Sequence, residues 1–150
     1  MTIKEQLRAD LALAMKARDE VRTSTLRMAI AAIGKAEVAG DEAIVLADDA
    51  ALALLASEIK KRTEAADLYA QGGRTELADK ERAEAAILAD YLPAALSDAE
   101  LESIVAEEAA KVDASNAGKA MGQVIKAVRD RVGQQADGGR IASAVKSALG

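Results

Sequence analysis

The chain is 150 residues long, with 20 Lys and Arg against 25 Asp and Glu, for a formal net charge of −5. It contains no Cys, His, Trp or Phe, which excludes disulfide scaffolds, cysteine–histidine zinc sites, and catalysis by a Cys nucleophile or an imidazole base. The length suits one domain or two small helical modules, and the lack of cysteine is compatible with a reducing compartment.

The apolar residues include 37 Ala and 15 Leu, with Tyr69 and Tyr91 as the only aromatics. Ala is the strongest helix former, while strands favour β-branched and aromatic side chains, so the composition predicts an all-α fold. The longest apolar run, Ala50 to Ala56, is far shorter than the ~20 residues of a membrane span. Met1-Thr2-Ile3-Lys4-Glu5 carries charge early and has no apolar signal core, so a cytoplasmic location is expected.

Thr2-Ile3-Lys4-Glu5 fits a capping box and starts a first helix reaching about Ala17, with Ile3, Leu7, Leu11 and Met15 as its apolar stripe. A second helix is expected from near Asp19 to about Val38, with Leu26, Ile30 and Ile33 supported by Val21, Ala29 and Ala36. Gly40-Asp41 marks a break, and residues 40–49 read as a loop or a short helical turn. A third helix, from about Asp49 to Gln71, carries Leu52, Leu55, Ile59, Ala66 and Tyr69 inward and stops at Gly72-Gly73. Thr75 is expected to cap a fourth helix running through Leu77, Ile87, Leu88 and Tyr91, which Pro93 ends.

Beyond Pro93, Ser97-Asp98-Ala99-Glu100 forms a second capping box, flanked by Leu96 and Leu101 as a hydrophobic staple. It starts a fifth helix of about 98–112. Ser115-Asn116-Ala117-Gly118 caps a sixth of about 117–132, closed by Gly133, and Asp137-Gly138-Gly139 opens a last helix with Ile141, Val145 and Leu149. The expected architecture is thus an N-terminal four-helix domain, residues 1–93, followed by a small three-helix tail, residues 94–150.

Charge is unevenly spread. Residues 1–93 carry 13 positive and 17 negative side chains; residues 94–110 carry five negative and none positive; residues 111–150 carry seven positive and three negative. On charge alone, the bland reading of the basic segment, a solvated helix face, outweighs a nucleic-acid contact. The sixth helix shifts the balance. At about 100° per residue, Lys119, Gly122, Gln123, Lys126, Arg129 and Asp130 share one arc of about 120°, opposite Met121, Val124, Ile125, Val128 and Val132. Gly122 offers either close approach by a partner backbone, close helix packing, or a weak point in the helix. Arg131, Arg140 and Lys146 add further cations. Unpaired bases usually stack on aromatic platforms, which this chain lacks, so any recognition would be of shape and phosphate backbone.

Other charged strings read as structural. Lys60-Lys61-Arg62 point in different directions, and Glu58–Arg62 and Lys60–Glu64 are i,i+4 pairs. Asp48-Asp49 suits a helix start, and Glu107-Glu108 diverge too far for a shared-proton dyad. Ser24 has no His partner, and a Ser–Lys arrangement with Lys60 or Lys61 has nothing to support it. Neither Gly72-Gly73-Arg74 nor Gly138-Gly139-Arg140 has the ending of a phosphate loop. Tyr69 and Tyr91 read as core residues with solvent-reaching hydroxyls. No catalytic residue, metal or cofactor is expected.

Several segments nevertheless match a known family in order and spacing: Arg22-Thr23-Ser24-Thr25-Leu26-Arg27-Met28, Glu58-Ile59-Lys60-Lys61-Arg62, Asp90-Tyr91-Leu92-Pro93, Gly118-Lys119-Ala120-Met121-Gly122-Gln123-Val124-Ile125-Lys126-Ala127, Gly133, Ala136-Asp137-Gly138, Val145-Lys146 and Leu149. Together they resemble the GatB/YqeY family over about 130 residues. The resemblance implies a helical N-terminal part, a three-helix tail and kinship with the C-terminal region of the amidotransferase B subunit. That glutamine-dependent enzyme converts glutamate or aspartate mischarged on tRNA to the amide. There the corresponding tail approaches the tRNA body, and the chemistry resides in a much larger domain without counterpart in these 150 residues. Carbon–nitrogen ligase activity with glutamine as amide donor would thus attach to this chain only by association.

The leading expectation is a non-catalytic, tRNA-related binding module that uses Lys119, Lys126, Arg129 and Arg140, with Arg131 and Lys146. Two alternatives stand beside it. One is a protein-interaction scaffold acting through the acidic N-terminal helices. The other is an accessory to an amidotransferase, with that enzyme or an aminoacyl-tRNA synthetase as partner. No membrane association is expected.

Overall fold

The computed structural model describes residues 1–113 and 115–150, and the protein is all-α: seven helices and, among the described residues, no strand. They fall into two compact units, Met1–Leu92 and Pro93–Gly150. No helix is long and apolar enough to cross a membrane among the described residues.

The first unit begins with helix α1, Ile3–Lys16. Thr2 accepts from the Glu5 backbone N–H while the Glu5 carboxylate accepts from that of Thr2, the reciprocal arrangement read from the sequence. Ile3, Leu7 and Ala14 are buried, but Met15 is half exposed. The expected stripe was drawn in steps of four, and each step drifts by about 40° on a helix of 3.6 residues per turn. After three steps Met15 lies about 120° from Ile3, whereas Ala14 lies about 20° away and takes the inward place.

Helix α2, Glu20–Glu37, starts under the Asp19 cap and buries Thr25, Leu26, Ala29 and Ile33. Val21, expected to support this stripe, is exposed. Helix α3, Asp48–Gln71, has Ala47 at its N-cap without a side-chain bond. Asp48 and Asp49 supply first-turn negative charge but no cap: Asp48 accepts from the Ile3 backbone N–H at 3.0 Å, tying α3 to α1. Gly73 takes the left-handed conformation, φ +76°, that the Gly-Gly stop requires.

Helix α4, Thr75–Ala89, packs along α3. Thr75 is its first residue, not its cap; Arg74 stands at the N-cap with no side-chain bond. Ala78, Ala85, Ile87 and Leu88 are buried, whereas Leu77 is exposed. Tyr69 is exposed and sits outside the core. Tyr91 is half-buried, and its hydroxyl donates to Asp10 instead of reaching solvent. Burial, reinforced by the Asp10 carboxylate, raises its pKa well above the ordinary tyrosine value.

Two buried ionic groups organise this unit. Arg62, 8% exposed, pairs with Glu58 at 2.9 Å on its own helix and with Glu84 of α4 at 3.3 Å. Glu37, also 8% exposed, accepts from the Lys4 ammonium and from the Leu46 backbone N–H. That pair of bonds fastens the segment between α2 and α3 to the first turn of α1.

The second unit has its own core of Leu101, Val105, Val124, Val128, Val132, Ala136, Ile141 and Val145. Helix α5, Asp98–Ala109, carries the complete Ser97–Glu100 capping box, and Leu96 packs in the same cluster as Leu101, as a staple requires. It ends three residues before the expected limit of 112, because a turn begins at Ala110. Helix α6, Ala117–Val132, is capped by the Asn116 side chain and closed by Gly133 at φ +56°. A short 3₁₀ turn, Gly133–Gln135, leads to helix α7, Gly138–Leu149, which Asp137 caps. The Leu96 backbone N–H donates to the Gln135 carbonyl at 2.9 Å and holds that turn against the start of α5.

Candidate nucleic-acid interface

Helix α6 separates its two faces cleanly. Ala120, Val124, Val128 and Val132 are buried, and Met121 and Ile125 are half-buried against the same core. Lys119, Gly122, Gln123, Lys126, Arg129 and Asp130 are all exposed. Packing of the valine side therefore fixes the direction of the basic side. The helix presents Lys119, then Lys126 about two turns on and Arg129 about one turn further, on one surface.

Intramolecular pairing differs among the cations. Lys126 approaches Asp130 at 3.4 Å, with both side chains strongly exposed; such a surface i,i+4 pair contributes only a few tenths of a kcal/mol and yields readily to a phosphate. Lys119, Arg129 and Lys146 take part in no ion pair among the described residues. One guanidinium nitrogen of Arg129 lies where a Cβ on Gly138 would meet it at 3.3 Å, so the head group rests against the first turn of α7. The Asp137 carboxylate caps that same turn, so the helix dipole there already meets a negative charge and the exposed cation at this place is the Arg129 guanidinium. A side chain at 138 would shift this guanidinium by only a few tenths of an ångström; the sequence pattern did not disclose the contact, and the only signal was the Asp-Gly-Gly run itself.

Arg131 and Arg140 are placed differently. Arg131 lies about 120° around the helix from Lys119 and turns toward α5, where it pairs with Glu107 at 2.5 Å and with Glu108 at 3.4 Å. The Glu107 carboxylate is the main reason its pKa is raised above the ordinary arginine value. Arg140 donates to the Leu96 carbonyl at 2.9 Å and to Asp98 at 3.0 Å, which closes α7 onto the start of α5. Lys146 is exposed in the last turn of α7, where a cation favours the helix C-terminus. Of the eight residues singled out by sequence, the structure thus gathers Lys119, Gly122, Gln123, Lys126 and Arg129 on one open face. It commits Arg131 and Arg140 to the tail's own framework.

Gly122 resolves to fewer readings than its sequence allowed. A Cβ built there would meet nothing within 4 Å, so the glycine serves no close helix packing within the chain. It is a smooth, exposed place in the middle of the cationic face.

Among the described residues no group of three or more acidic side chains is arranged to hold a metal ion. The buried carboxylates Glu37 and Glu84 both face a basic partner in the N-terminal unit and are structural.

An all-helical chain with two cores and a cationic helix face defines a class of small helical proteins. Within that class, the chain belongs to the YqeY-like family: the model for YqeY-like proteins matches residues 4–149, nearly the whole length. This family is related to the C-terminal region of the amidotransferase B subunit. No curated protein matches the chain.

Proposed function

We propose that the protein is a non-catalytic tRNA-binding module, working in the cytoplasm, whose contact surface is the exposed face of α6. The observation that carries this reading is the set of three cations, Lys119, Lys126 and Arg129, on one solvent-facing side of one helix. None is held by more than a weak surface ion pair among the described residues. Arg129 suits a phosphate as a planar fork and the lysines suit it as point charges. Gln123 supplies a neutral donor between them, and Gly122 lets a sugar–phosphate backbone approach the helix closely. With no aromatic side chain on this face, recognition is of backbone and shape. Arg131 and Arg140 are held by Glu107, Glu108 and Asp98 within the tail and are not assigned to this surface.

Family membership supports the choice of tRNA among nucleic acids, since the related amidotransferase acts on aminoacylated tRNA. Charge reversal tests the assignment. Lys126→Glu with Arg129→Glu lowers tRNA affinity at least ~100-fold, because two attractive contacts become repulsive. Unchanged affinity in this double variant refutes the site.

The same family membership favours one second reading, an accessory to a glutamine-dependent amidotransferase. That reading requires the protein to change the rate of tRNA-dependent amide formation by the separate enzyme. No effect at saturating concentration dismisses it.

A further inference from the structure

One pattern occurs twice in the N-terminal unit. Arg8, Ala12 and Lys16 on α1 are repeated, at the same four-residue steps, as Arg27, Ala31 and Lys35 on α2. Residues eight apart on a helix stand about 12 Å apart along its axis and about 80° apart around it, with the alanine midway. All six residues are exposed, and none of the four cations takes part in an ion pair among the described residues. The two helices run antiparallel. Lys4 pairs with Glu37 near one end of the seam between them, and a guanidinium nitrogen of Arg27 lies 3.8 Å from Met15 Sδ near the other. Arg8 is close enough to Glu37 to help lower its pKa. Each arginine thus leans across the seam toward the opposite helix, and the two patterns share one outer face. Arg8 stands near the Lys35 end of α2, and Lys16 near Arg27.

Between the four cations the face is low and partly apolar. A Cβ on Gly34 would meet nothing within 4 Å, Met15 is 50% exposed, and Leu11 and Ile30 are half-buried. Apolar surface therefore remains to be covered, and the small residues let another helix come close. Most acids of α1 and α2 are already committed. Asp10 holds Tyr91, Asp19 caps α2 and pairs with Arg22, and Glu37 holds Lys4. Glu5, which caps α1, and Glu20 stand at the two ends of the face. Charge decides the partner. Residues 1–38 carry seven bases and five acids, whereas residues 39–93 carry six and twelve. A nucleic-acid backbone running past the quartet meets Glu5, Glu20 and that acidic remainder. A single helix carries its acids only where the cations are. We propose that the α1–α2 seam is the docking site for an acidic amphipathic helix of a partner protein. Its Ala or Leu stripe covers Ala12, Met15 and Ala31, and carboxylates on its two flanks meet Arg8 and Lys16 on one side and Arg27 and Lys35 on the other. This face shares no residue with the cationic face of α6, so it stands or falls independently of tRNA binding.

The test uses the full chain and two fluorescein-labelled synthetic peptides of one composition, one with a continuous Ala/Leu helical stripe flanked on both sides by Glu, the other scrambled. Fluorescence anisotropy should show the striped peptide binding at least ~10-fold more tightly than the scrambled one. Arg8→Glu with Arg27→Glu should weaken it at least ~10-fold. Arg74→Glu with Lys80→Glu, the same charge change at two other exposed positions, should change it less than about 2-fold. Ala31→Trp keeps all four cations but fills the middle of the seam, and it should abolish the preference for the striped peptide, with helix content checked by circular dichroism. Equal binding of both peptides, equal losses from the two double variants, or a preference that survives Ala31→Trp overturns the proposal. So does self-association in sedimentation that Arg8→Glu with Arg27→Glu abolishes, which assigns the face to a second copy. A loss of tRNA affinity in that variant as large as the loss from Lys126→Glu with Arg129→Glu overturns it too, and assigns the face to RNA.

Discussion

Glu37 shows how one side chain organises an otherwise unstructured connection. Its carboxylate joins Lys4, at the start of α1, to the Leu46 backbone just ahead of α3. The Lys4 bond, followed by the Leu46 N–H, holds its pKa below the ordinary glutamate value. A carboxylate with a depressed folded pKa contributes stability that is complete above the unfolded value and is lost as pH falls through the folded one. Thermal unfolding followed from about pH 6 down to about pH 3 should therefore show acid destabilisation that Glu37→Gln reduces. An unchanged acid profile in that variant contradicts this role.

Arg62 is the second residue that matters in this way. Buried between Glu58 and Glu84, it is a charge whose removal from water is offset only by both partners. Glu84→Leu alone should cost about 1–3 kcal/mol in denaturant unfolding, because Arg62 keeps only Glu58. Combining it with Arg62→Met should cost less than the sum of the single changes, a coupling of about 1–2 kcal/mol. Strict additivity contradicts a direct interaction.

At the scale of the element, helix boundaries were legible wherever the stop or start is local chemistry. Thr2, Asp19, Ser97, Asn116 and Asp137 each bond a backbone N–H three residues on, and Gly73 and Gly133 both adopt positive φ. The valine side of α6 was legible as well, since a strong apolar period leaves one way to bury it. Burial set by a distant partner was not. Arg62 reads as one member of a basic run until Glu84, 22 residues on, is seen beside it. Thr75 carries the right chemistry for a cap but lies one residue inside the helix. The cations divided for the same reason: nothing near Arg131 or Arg140 in sequence announces that Glu107 and Asp98 will hold them. Gly122 gives a test at this scale. With open space where a Cβ would stand, Gly122→Ala should stabilise the tail by about 0.5–1 kcal/mol, the ordinary helix-propensity difference, in chemical denaturation. Destabilisation contradicts the reading of Gly122 as a free surface position.

At the scale of the whole molecule, the proposed function turns on charge arrangement and not on charge total. The chain is acidic overall, and residues 94–150 alone carry seven positive and eight negative side chains. Acids dominate α5 and cations dominate the outer face of α6, so this unit is polarised although its net charge is close to zero. A field of that kind attracts phosphate only over a short range, within about a Debye length of the cationic face. Few contacts, and a steep but limited response to salt, follow from that geometry.

The most direct measurement is the affinity of the full chain for tRNA by fluorescence anisotropy across a series of salt concentrations. Three phosphate contacts from Lys119, Lys126 and Arg129 predict that log affinity falls against log salt with a slope of roughly −2 to −3. Absence of binding at low salt, or binding whose slope is near zero, contradicts the assignment of α6 as a phosphate-contacting surface.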